Sequence, residues 1–441
     1  MALVGPALAL AAHHGHNSHQ RAGREKLTLM STAPPTIDRR ARWAVSMIFF
    51  LNGLSFCAIL PRYPELVDSI GLTKTAFGLA VGLGPLGGLL AGLGAAAIMG
   101  KLGSGRAAVA FQMVASSAHL LVYTSQSWLW LTVALLLAAA ADAITDIAMN
   151  AHGMRVERRY RRSIMNSYHG WWSLGAVAGG LLGSACAQLG VPLWLQGLVG
   201  LVVFGGLALA SSRFMLPGHD SSERAAATAG PTPGSAAEVP SGGRLALWRM
   251  SGRALGMLLA LGMVLVFAGA SEDAGNTWGA LYMRSTFDTT PFVAGMAFVA
   301  LQGAQTIGRF TGDAVVDRLG DRMTARLGAV LAAIGMSVGL LVSHPVAAML
   351  GFACVGWGIA TLFPAAFRAA DDLPGVAPGV GITVIGWLAR VGFLATPPLV
   401  GWLADWFTLA RALWLVPVYA LGILAFSGVL ETRRHDRHAT S

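Results

Sequence analysis

Long uncharged stretches recur along the chain, separated by short polar segments. Six of them are each long enough for one membrane-spanning helix, because about 20 apolar residues cover the hydrocarbon core of a bilayer. These stretches are residues 43–60, 76–100, 254–271, 289–308, 379–403 and 412–430, and 379–403 contains one charged residue, Arg390. The pattern predicts helices rather than strands, since each run is far longer than a strand and has no strict alternation.

Three longer uncharged stretches each predict two spans. They cover residues 107–141, 163–212 and 327–367, and each is interrupted by a polar or Pro/Gly-containing break: "TSQSW", "AQLGVPL" and "VSHPV". Such breaks end helices. The total is twelve spans, so the sequence predicts an all-α membrane protein with twelve transmembrane helices.

Composition supports a membrane protein and suggests two halves. Of the 441 residues, 55% are hydrophobic and 12% are charged, whereas soluble domains carry about 25% charged residues. The polar segment 213–253 has too little apolar content to fold and is predicted to be a cytoplasmic linker. We therefore divide the chain into a disordered tail (1–41), a six-helix bundle (42–212), the linker, a second six-helix bundle (254–431) and a tail (432–441).

Lysine and arginine concentrate in alternate loops, notably 39–42, 101–106, 155–162, 213–253 and 309–326. By the positive-inside rule, both termini are predicted to be cytoplasmic. The net charge of +10 then follows from topology and contact with anionic lipid, and it predicts no nucleic-acid partner. We expect a monomer in the cytoplasmic (inner) membrane.

The stretch "AAAADAITDIAMNAHG" (138–153) places Asp142, Asp146 and Asn150 one helical turn apart, on one face. An ionised Asp at the bilayer centre costs about 2.5–3.5 kcal/mol, so this face must meet protein or water. Burial and a neighbouring carboxylate both favour the protonated form. Asp146 and Asp142 are therefore proton-coupling candidates; the alternative is that they pair with a basic residue and hold helices together.

The seventh span carries a second acidic pair, Glu272 and Asp273. Glu272 lies one turn from Asn276 and is predicted to face Asp146 as a third proton-coupling candidate, whereas Asp273 is expected to point about 100° away, toward the outer mouth. Glu272 has an alternative role as an outer gate or a helix-end charge. Arg390 is a cation deep in a span and needs either an acidic partner or an anionic ligand.

Other polar side chains are candidates for a substrate pocket, because amides and aromatic rings suit hydroxyl-rich ligands. Their alternative role is to hydrogen-bond neighbouring helices, and Trp172 is expected to be an interfacial anchor. The candidate substrate-binding residues are Asn52, Asn150, Asn276, Gln302, Gln305, Arg390 and Trp387, and His119 and His169 could also line a pocket. No Ser-His-Asp set, Walker loop or zinc-ligand spacing is found in the sequence, so we predict no enzyme, no cofactor and no metal site.

The two halves share a short basic turn after their second span, "GKLGSGR" at 100–106 and "DRLGDR" at 317–322. This six-plus-six arrangement resembles the major facilitator superfamily, whose turn reads G-x-x-x-D-R-x-G-R. The resemblance implies two pseudo-symmetric bundles that rock around a central site, and a conformational latch of Asp317, Arg318, Gly320 and Arg322. Asp313 replaces the first glycine of the turn.

Three motifs give a narrower resemblance to the fucose-permease-like branch: Asp146-x-x-x-Asn150 with "YHGWWSLGAVAGG", then "FAGASEDAGNTW", then "GRFTGD". In that branch an acidic residue of span four is protonated during sugar-proton symport, which implies the same role for Asp146. The resemblance predicts proton-coupled symport of a sugar-like or other polar metabolite. The alternatives are a proton-antiporting exporter of drugs or metabolites, disfavoured because "SLGAVAGG" lacks a proline, and a receptor without transport.

Overall fold

The computed structural model describes residues 35–160, 163–218, 251–376 and 379–430. Long helices occupy the positions of all twelve predicted spans, and the described residues contain no strand. In the first half they are α1 (Thr36–Cys57), α2 (Lys74–Gly92), α3 (Ser104–Tyr123), α4 (Trp128–Tyr160), α5 (Met165–Gln188) and α6, which runs through Leu193–Gly200, a π-helical turn at Leu201–Gly205, and Gly206–Ser211.

The second half repeats this series. Its helices are α7 (Gly252–Phe287), α8 (Pro291–Leu319), α9 (Asp321–Leu341), α10 in two pieces (Pro345–Ile359 and Leu362–Asp371), α11 (Val380–Trp406) and α12 (Leu415–Phe426). Short helices at Tyr63–Ile70, Ala95–Leu102 and Leu409–Ala412 connect them.

Length and composition identify most of these helices as spans. Nine segments among the described residues are long and apolar enough to cross a membrane. The other three, α3, α5 and α8, have 20, 24 and 29 residues but carry more polar side chains. α5 and α8 pack against each other between the halves, where a polar side chain meets protein or a cavity rather than lipid.

The predicted breaks between paired spans form as helix ends. His344 of "VSHPV" accepts a hydrogen bond from Val346 N through Nδ1, at 3.2 Å, and Pro345 occupies the first position of α10. Proline suits that position because its missing N–H has no helical partner to lose. The break therefore follows from local chemistry that the sequence displays.

Corresponding helix pairs pack together in both halves, so the second half repeats the arrangement of the first. α1 packs on α5, α2 on α4 and α3 on α4; in the second half α7 packs on α11, α8 on α10 and α9 on α10. The halves meet along two pairs, α2 with α11 and α5 with α8. This is the twelve-helix architecture that the sequence predicts.

Two predicted boundaries differ from the helix ends. α1 begins at Thr36, so residues 36–41 of the predicted tail are helical, and α7 begins at Gly252 within the predicted linker. Residues 1–34, 219–250 and 431–441, which contain most of both tails and of the linker, lie outside the described residues.

The two ends of the bundle differ in their contacts between halves. We call the end that carries the turns 100–106 and 317–322 the basic end, and the other the opposite end. At the opposite end Asp405, on α11, accepts hydrogen bonds from Lys74 N and Thr75 N at the start of α2, at 3.1 and 2.8 Å. The rings of Phe77 and Trp278 also meet there across the halves, with centroids 5.5 Å apart.

Candidate functional site

A cavity of about 850 Å³ lies between the halves on the side of the basic end; we call it the basic-end cavity. Asp146 of α4 and His169 of α5 line it from the first half, and Arg309, Asp313 and Arg368 line it from the second. The Asp146 side chain is exposed to this cavity. A carboxylate in a water-filled cleft is one of the few arrangements that a membrane interior tolerates.

Asp146 is held by its own helix. Asn150 Nδ2 donates to Asp146 Oδ1 at 3.0 Å and to the Asp146 carbonyl at 2.9 Å. Among the described residues, no Lys, Arg or His nitrogen lies within 4.0 Å of the Asp146 carboxylate. Arg390 is close enough to interact with it electrostatically. The carboxylate is thus oriented but not neutralised by a close ion pair.

A second cavity, of about 310 Å³, lies deeper between the halves; we call it the central cavity. Asp142 of α4, Glu272 and Asp273 of α7 and Arg390 of α11 all line it. Trp172 of α5 lines both cavities and so separates them. Asp273, which was expected to point toward the outer mouth, lines the same cavity as Glu272.

Asp142 is positioned by a hydrogen-bond network in the first half. Asn52 Nδ2 donates to Asp142 Oδ1 at 2.7 Å, and Trp172 Nε1 donates to Asn52 Oδ1 at 2.8 Å. Gln112 Oε1 lies 3.4 Å from Asn52 Nδ2, and Gln112 Nε2 donates to Ser55 Oγ at 3.3 Å. Side chains of three helices, α1, α3 and α5, therefore support one carboxylate of α4, which explains why these polar residues occur in apolar spans.

Polar groups that the second half contributes to the central cavity have fewer hydrogen-bond partners. Thr277 Oγ1 donates to Asp273 Oδ1 at 3.1 Å. Asp273 Oδ2, Asn276 Oδ1 and Gln302 Nε2 are buried and have no hydrogen-bond partner among the described residues, and His119 Nδ1 on the facing wall is in the same state. All four side chains line the central cavity. Buried polar atoms are normally paired, so this concentration indicates a ligand site.

Arg390 lines the central cavity without a close carboxylate. Its only hydrogen bond among the described residues is from Nη1 to the Gly386 carbonyl of its own helix, at 2.9 Å. None of the ion pairs in the described part of the chain involves it. The salt bridge to Glu272, Asp273 or an α4 aspartate, one of the two predicted roles, is therefore not formed in this arrangement.

The structure brings most of the predicted site residues together and separates others. Asp142, Glu272, Asn276, Gln302 and Arg390 share the central cavity. Asp146 lies in the adjoining cavity, where Asn150 supports it. Asn52 acts through Asp142.

Two predicted pocket residues and one predicted anchor are placed differently. Gln305 is buried but lines neither cavity, and Trp387 is 48% exposed and lines neither. Trp172 is a network donor and not an interfacial anchor. The rotation of each helix decides these positions, and a lone sequence does not fix rotation.

Thr277 lines the central cavity although the sequence did not single it out. A threonine in a span gives little signal, because its hydroxyl can bond to a carbonyl of its own helix. Its spacing of four residues from Asp273 was the one available sign. The two histidines visible within the apolar spans do line cavities, His119 the central one and His169 the basic-end one.

The predicted latch residues surround the turn between α8 and α9. Gly320 adopts φ +79°, a conformation that favours glycine. Arg322 Nε donates to the Leu430 carbonyl at 3.0 Å, and Asp321 pairs with Arg368 at 2.9 Å. Asp317 and Arg318 lie at the end of α8. Both of these contacts join elements of the second half, so the function of these residues as a latch between halves stays a prediction.

Comparison with known proteins agrees with this architecture. Residues 261–440 match the family model described as Major Facilitator Superfamily. The second half of the chain is therefore similar to the major facilitator superfamily. An uncharacterized MFS-type transporter of Yersinia pestis is 26% identical over 381 residues, covering 86% of this chain and 93% of the relative. Membrane protein MosC of Rhizobium meliloti is 26% identical over 397 residues, covering 89% and 90%.

Solved structures of this superfamily share the fold at low sequence identity. The nucleoside transporter NupG aligns with a TM-score of 0.68 at 12% identity, over 90% of this chain and 99% of that one. A bacterial homolog of the human lysosomal transporter Spinster, inward-facing and unoccupied, aligns with a TM-score of 0.68 at 14% identity, over 90% and 97%. The family-model match, the transporter relatives and the apolar helices together indicate a multi-pass membrane protein related to transporters and not to enzymes. The narrower resemblance to the fucose-permease-like branch stays a prediction.

Proposed function

We propose that this protein is a proton-coupled symporter that imports a small polar organic solute by alternating access. In this proposal it lies in the cytoplasmic membrane with both termini inside, so the basic end is cytoplasmic. The contacts at the opposite end and the cavity at the basic end then correspond to an inward-facing arrangement. The solute binds in the central cavity and leaves through the basic-end cavity.

The observation that carries the proposal is the state of Asp146. Its carboxylate faces the basic-end cavity, is oriented by Asn150 and has no cation within 4.0 Å among the described residues. Water can therefore bring a proton to it and take one away. Asp142 lies one turn further along α4 and lines the central cavity, so a charge on Asp146 is felt at the solute site.

Protonation of Asp146 couples to transport through differential affinity. A proton or a solute shifts an equilibrium between two conformations only by as much as it prefers one of them. In the proposed cycle, Asp146 is protonated from outside when the site faces outward and releases the proton into the basic-end cavity. Solute binding at Asp142, Glu272 and Arg390 biases the same equilibrium.

Flux measurements in proteoliposomes test this proposal. Vesicles loaded with a pH-sensitive dye are given hexoses, sugar amines, amino acids and nucleosides in turn. We expect the lumen to acidify when an accepted solute enters, whereas alkalinisation would indicate a proton antiporter. With that solute, Asp146→Asn is expected to keep exchange and to lose uphill accumulation.

The matched control is Asp313→Asn. Asp313 lines the same cavity from the second half, so its loss removes a comparable charge without touching α4. Proton-driven accumulation that survives Asp146→Asn at the wild-type level would remove Asp146 from the mechanism.

A further inference from the structure

The central cavity has more negative than positive groups. Asp142, Glu272 and Asp273 line it, and among the described residues Arg390 is the only Lys or Arg that does so. Acidic side chains in this lining therefore outnumber basic ones by two. In a confined site with low-dielectric walls such an excess attracts cations strongly.

Unpaired hydrogen-bond acceptors in the cavity also favour a cationic ligand that donates hydrogen bonds. Asp273 Oδ2 and Asn276 Oδ1 are buried acceptors without a partner in the described part of the chain. No hydrogen bond to Glu272 is found among the described residues either. An unmet buried acceptor destabilises the protein, and a charged one does so more strongly. A ligand that donates several hydrogen bonds to this wall would remove that destabilisation.

The cavity also holds donors that need an acceptor. Gln302 Nε2 is buried and unpartnered, and Arg390 uses only Nη1, toward its own helix. A neutral sugar would satisfy donors and acceptors but leave the charge excess. An ammonium group supplies three donors together with a positive charge. Its hydrogen bonds to carboxylates are roughly twice as strong as neutral ones.

We propose that the central cavity of this transporter binds a small solute that carries a protonated amine. The inference rests on the function proposed above and specifies its substrate class. The ammonium lies against Glu272, Asp273 and Asn276, and an oxygen of the solute accepts from Arg390 and Gln302. A volume of about 310 Å³ is at the lower end of the range for ligand pockets, about 300–1,000 Å³, which suits a molecule of monosaccharide size.

Matched pairs of solutes test the amine directly on the purified full chain. The pairs are glucosamine and glucose, serine and glycerate, and 2-aminoethanol and ethylene glycol, with N-acetylglucosamine as an uncharged amide. We expect at least one amine to raise the melting temperature while its hydroxyl twin does not, because a ligand stabilises the state it binds. If no amine exceeds its hydroxyl twin, or if N-acetylation leaves binding unchanged, the proposal is wrong.

Variants locate the binding within the cavity. Glu272→Gln and Asp273→Asn are expected to lower the affinity for the stabilising amine by about tenfold or more, the scale of one charge-assisted contact. Asp313→Asn, in the other cavity, is expected to leave it within about twofold. Unchanged affinity in both α7 variants would place the amine elsewhere and overturn the assignment.

A second measurement needs no ligand. Ala139, a small residue of the cavity wall, is changed to cysteine after Cys57, Cys186 and Cys354 have been replaced by serine. A cationic methanethiosulfonate reagent is expected to react at least about tenfold faster than an anionic one, after correction for their rates with a free thiol. Glu272→Gln should reduce this ratio, and an anionic reagent that reacts equally fast would contradict the charge excess.

These outcomes separate the two proposals. Proton-coupled flux of a neutral solute would support the transport mechanism and refute the amine class. Binding of an amine without any flux would support the amine class and refute the transport mechanism.

Discussion

Asn52 on α1 donates a 2.7 Å hydrogen bond to Asp142 on α4, and this bond distinguishes Asp142 from Asp146 one turn away. Asp142 is fixed by side chains from other helices, whereas Asp146 is held only by Asn150 of its own helix. A fixed carboxylate suits a binding wall, and one exposed to water suits proton exchange. The two aspartates of "DAITD" thus have different environments despite their equivalent positions on the helix.

Replacing Asn52 with alanine should destabilise the protein. The substitution removes the donor to Asp142 and leaves Trp172 Nε1 without its acceptor. Each unmet buried group costs about 1–3 kcal/mol, so thermal unfolding in detergent is expected to occur several degrees lower. Ser117→Ala is the control, because Ser117 Oγ bonds only to a carbonyl of its own helix. An equal melting temperature for both variants would show that the network contributes no stability.

We expect the loss of Arg62 and the loss of Arg390 to affect the stability of the bundle differently. Arg62 is 1% exposed, forms two bonds to Glu65 and contacts Gln196 and the Val191 carbonyl. Removing one partner of a buried pair costs about 3–5 kcal/mol. Arg62→Ala should therefore unfold at a much lower temperature.

Arg390→Ala should change the melting temperature little, because the side chain has no close carboxylate partner in the described structure and bonds only to Gly386. It should nevertheless abolish solute uptake, and Arg390→Lys should restore part of it, since lysine keeps the charge and loses the planar guanidinium. A large loss of stability in Arg390→Ala would instead indicate a structural role.

Removing the side chain of Asp405 is expected to open the opposite end. It binds the backbone N–H groups of Lys74 and Thr75 at the start of α2 and so joins the halves. An acidic group at a helix N-terminus is stabilising, and hydrogen bonds to a charged group are worth about 1.5–3 kcal/mol each. Asp405→Ala should shift the population toward a form open at this end. Spin labels at Asp68→Cys and Thr286→Cys should then report longer distances.

Lys74→Ala is the matched control for Asp405→Ala. Its ammonium lies 4.0 Å from Asp405, whereas the shorter contacts use the backbone, which the substitution leaves in place. An exposed ion pair contributes about 0–1 kcal/mol. Lys74→Ala should therefore shift the distance distribution much less than Asp405→Ala. Equal shifts would mean that the ion pair, and not the hydrogen bonds from the backbone of α2 to Asp405, closes this end.

The twelve spans could be predicted because the bilayer imposes length and apolarity on each helix. Charge inside a helix shortens the apolar stretch by which a span is recognised. The uncharged stretch of the seventh span ends at Ser271, before Glu272, yet α7 continues to Phe287. Glu272 and Asp273 face the central cavity, so the helix continues past them without placing a charge in lipid.

Only part of the site was predictable. Spacing identified Asp142 and Asp146, since residues four apart share a helix face. Asp273 was not expected in the same cavity as Glu272, and it lines that cavity because the cavity is wide enough to touch two successive residues of α7. Trp172 and Trp387 depend on the rotation of α5 and α11, which follows from packing between distant segments and leaves no local signal.

Alanine substitutions at Gly82 and Gly84 of α2 test how closely the two halves pack. A Cβ built at Gly82 would lie 2.7 Å from the Leu394 carbonyl oxygen of α11, whereas one at Gly84 would lie 3.8 Å from its nearest neighbours, both atoms of Leu135 in the same half. Alanine favours a helix over glycine by about 1 kcal/mol at either position. Gly84→Ala should therefore unfold at the wild-type temperature or slightly above it.

Gly82→Ala should unfold at a lower temperature than wild type, because the added methyl forces α2 and α11 apart and overpacking costs about 1–3 kcal/mol. In the proposed alternating-access cycle it should also slow solute exchange, because the same helix pair joins the halves. The helix-propensity gain is common to both variants, so the difference between their melting temperatures isolates the contact with α11. Identical melting temperatures of the two variants would show that α2 and α11 do not pack closely at Gly82.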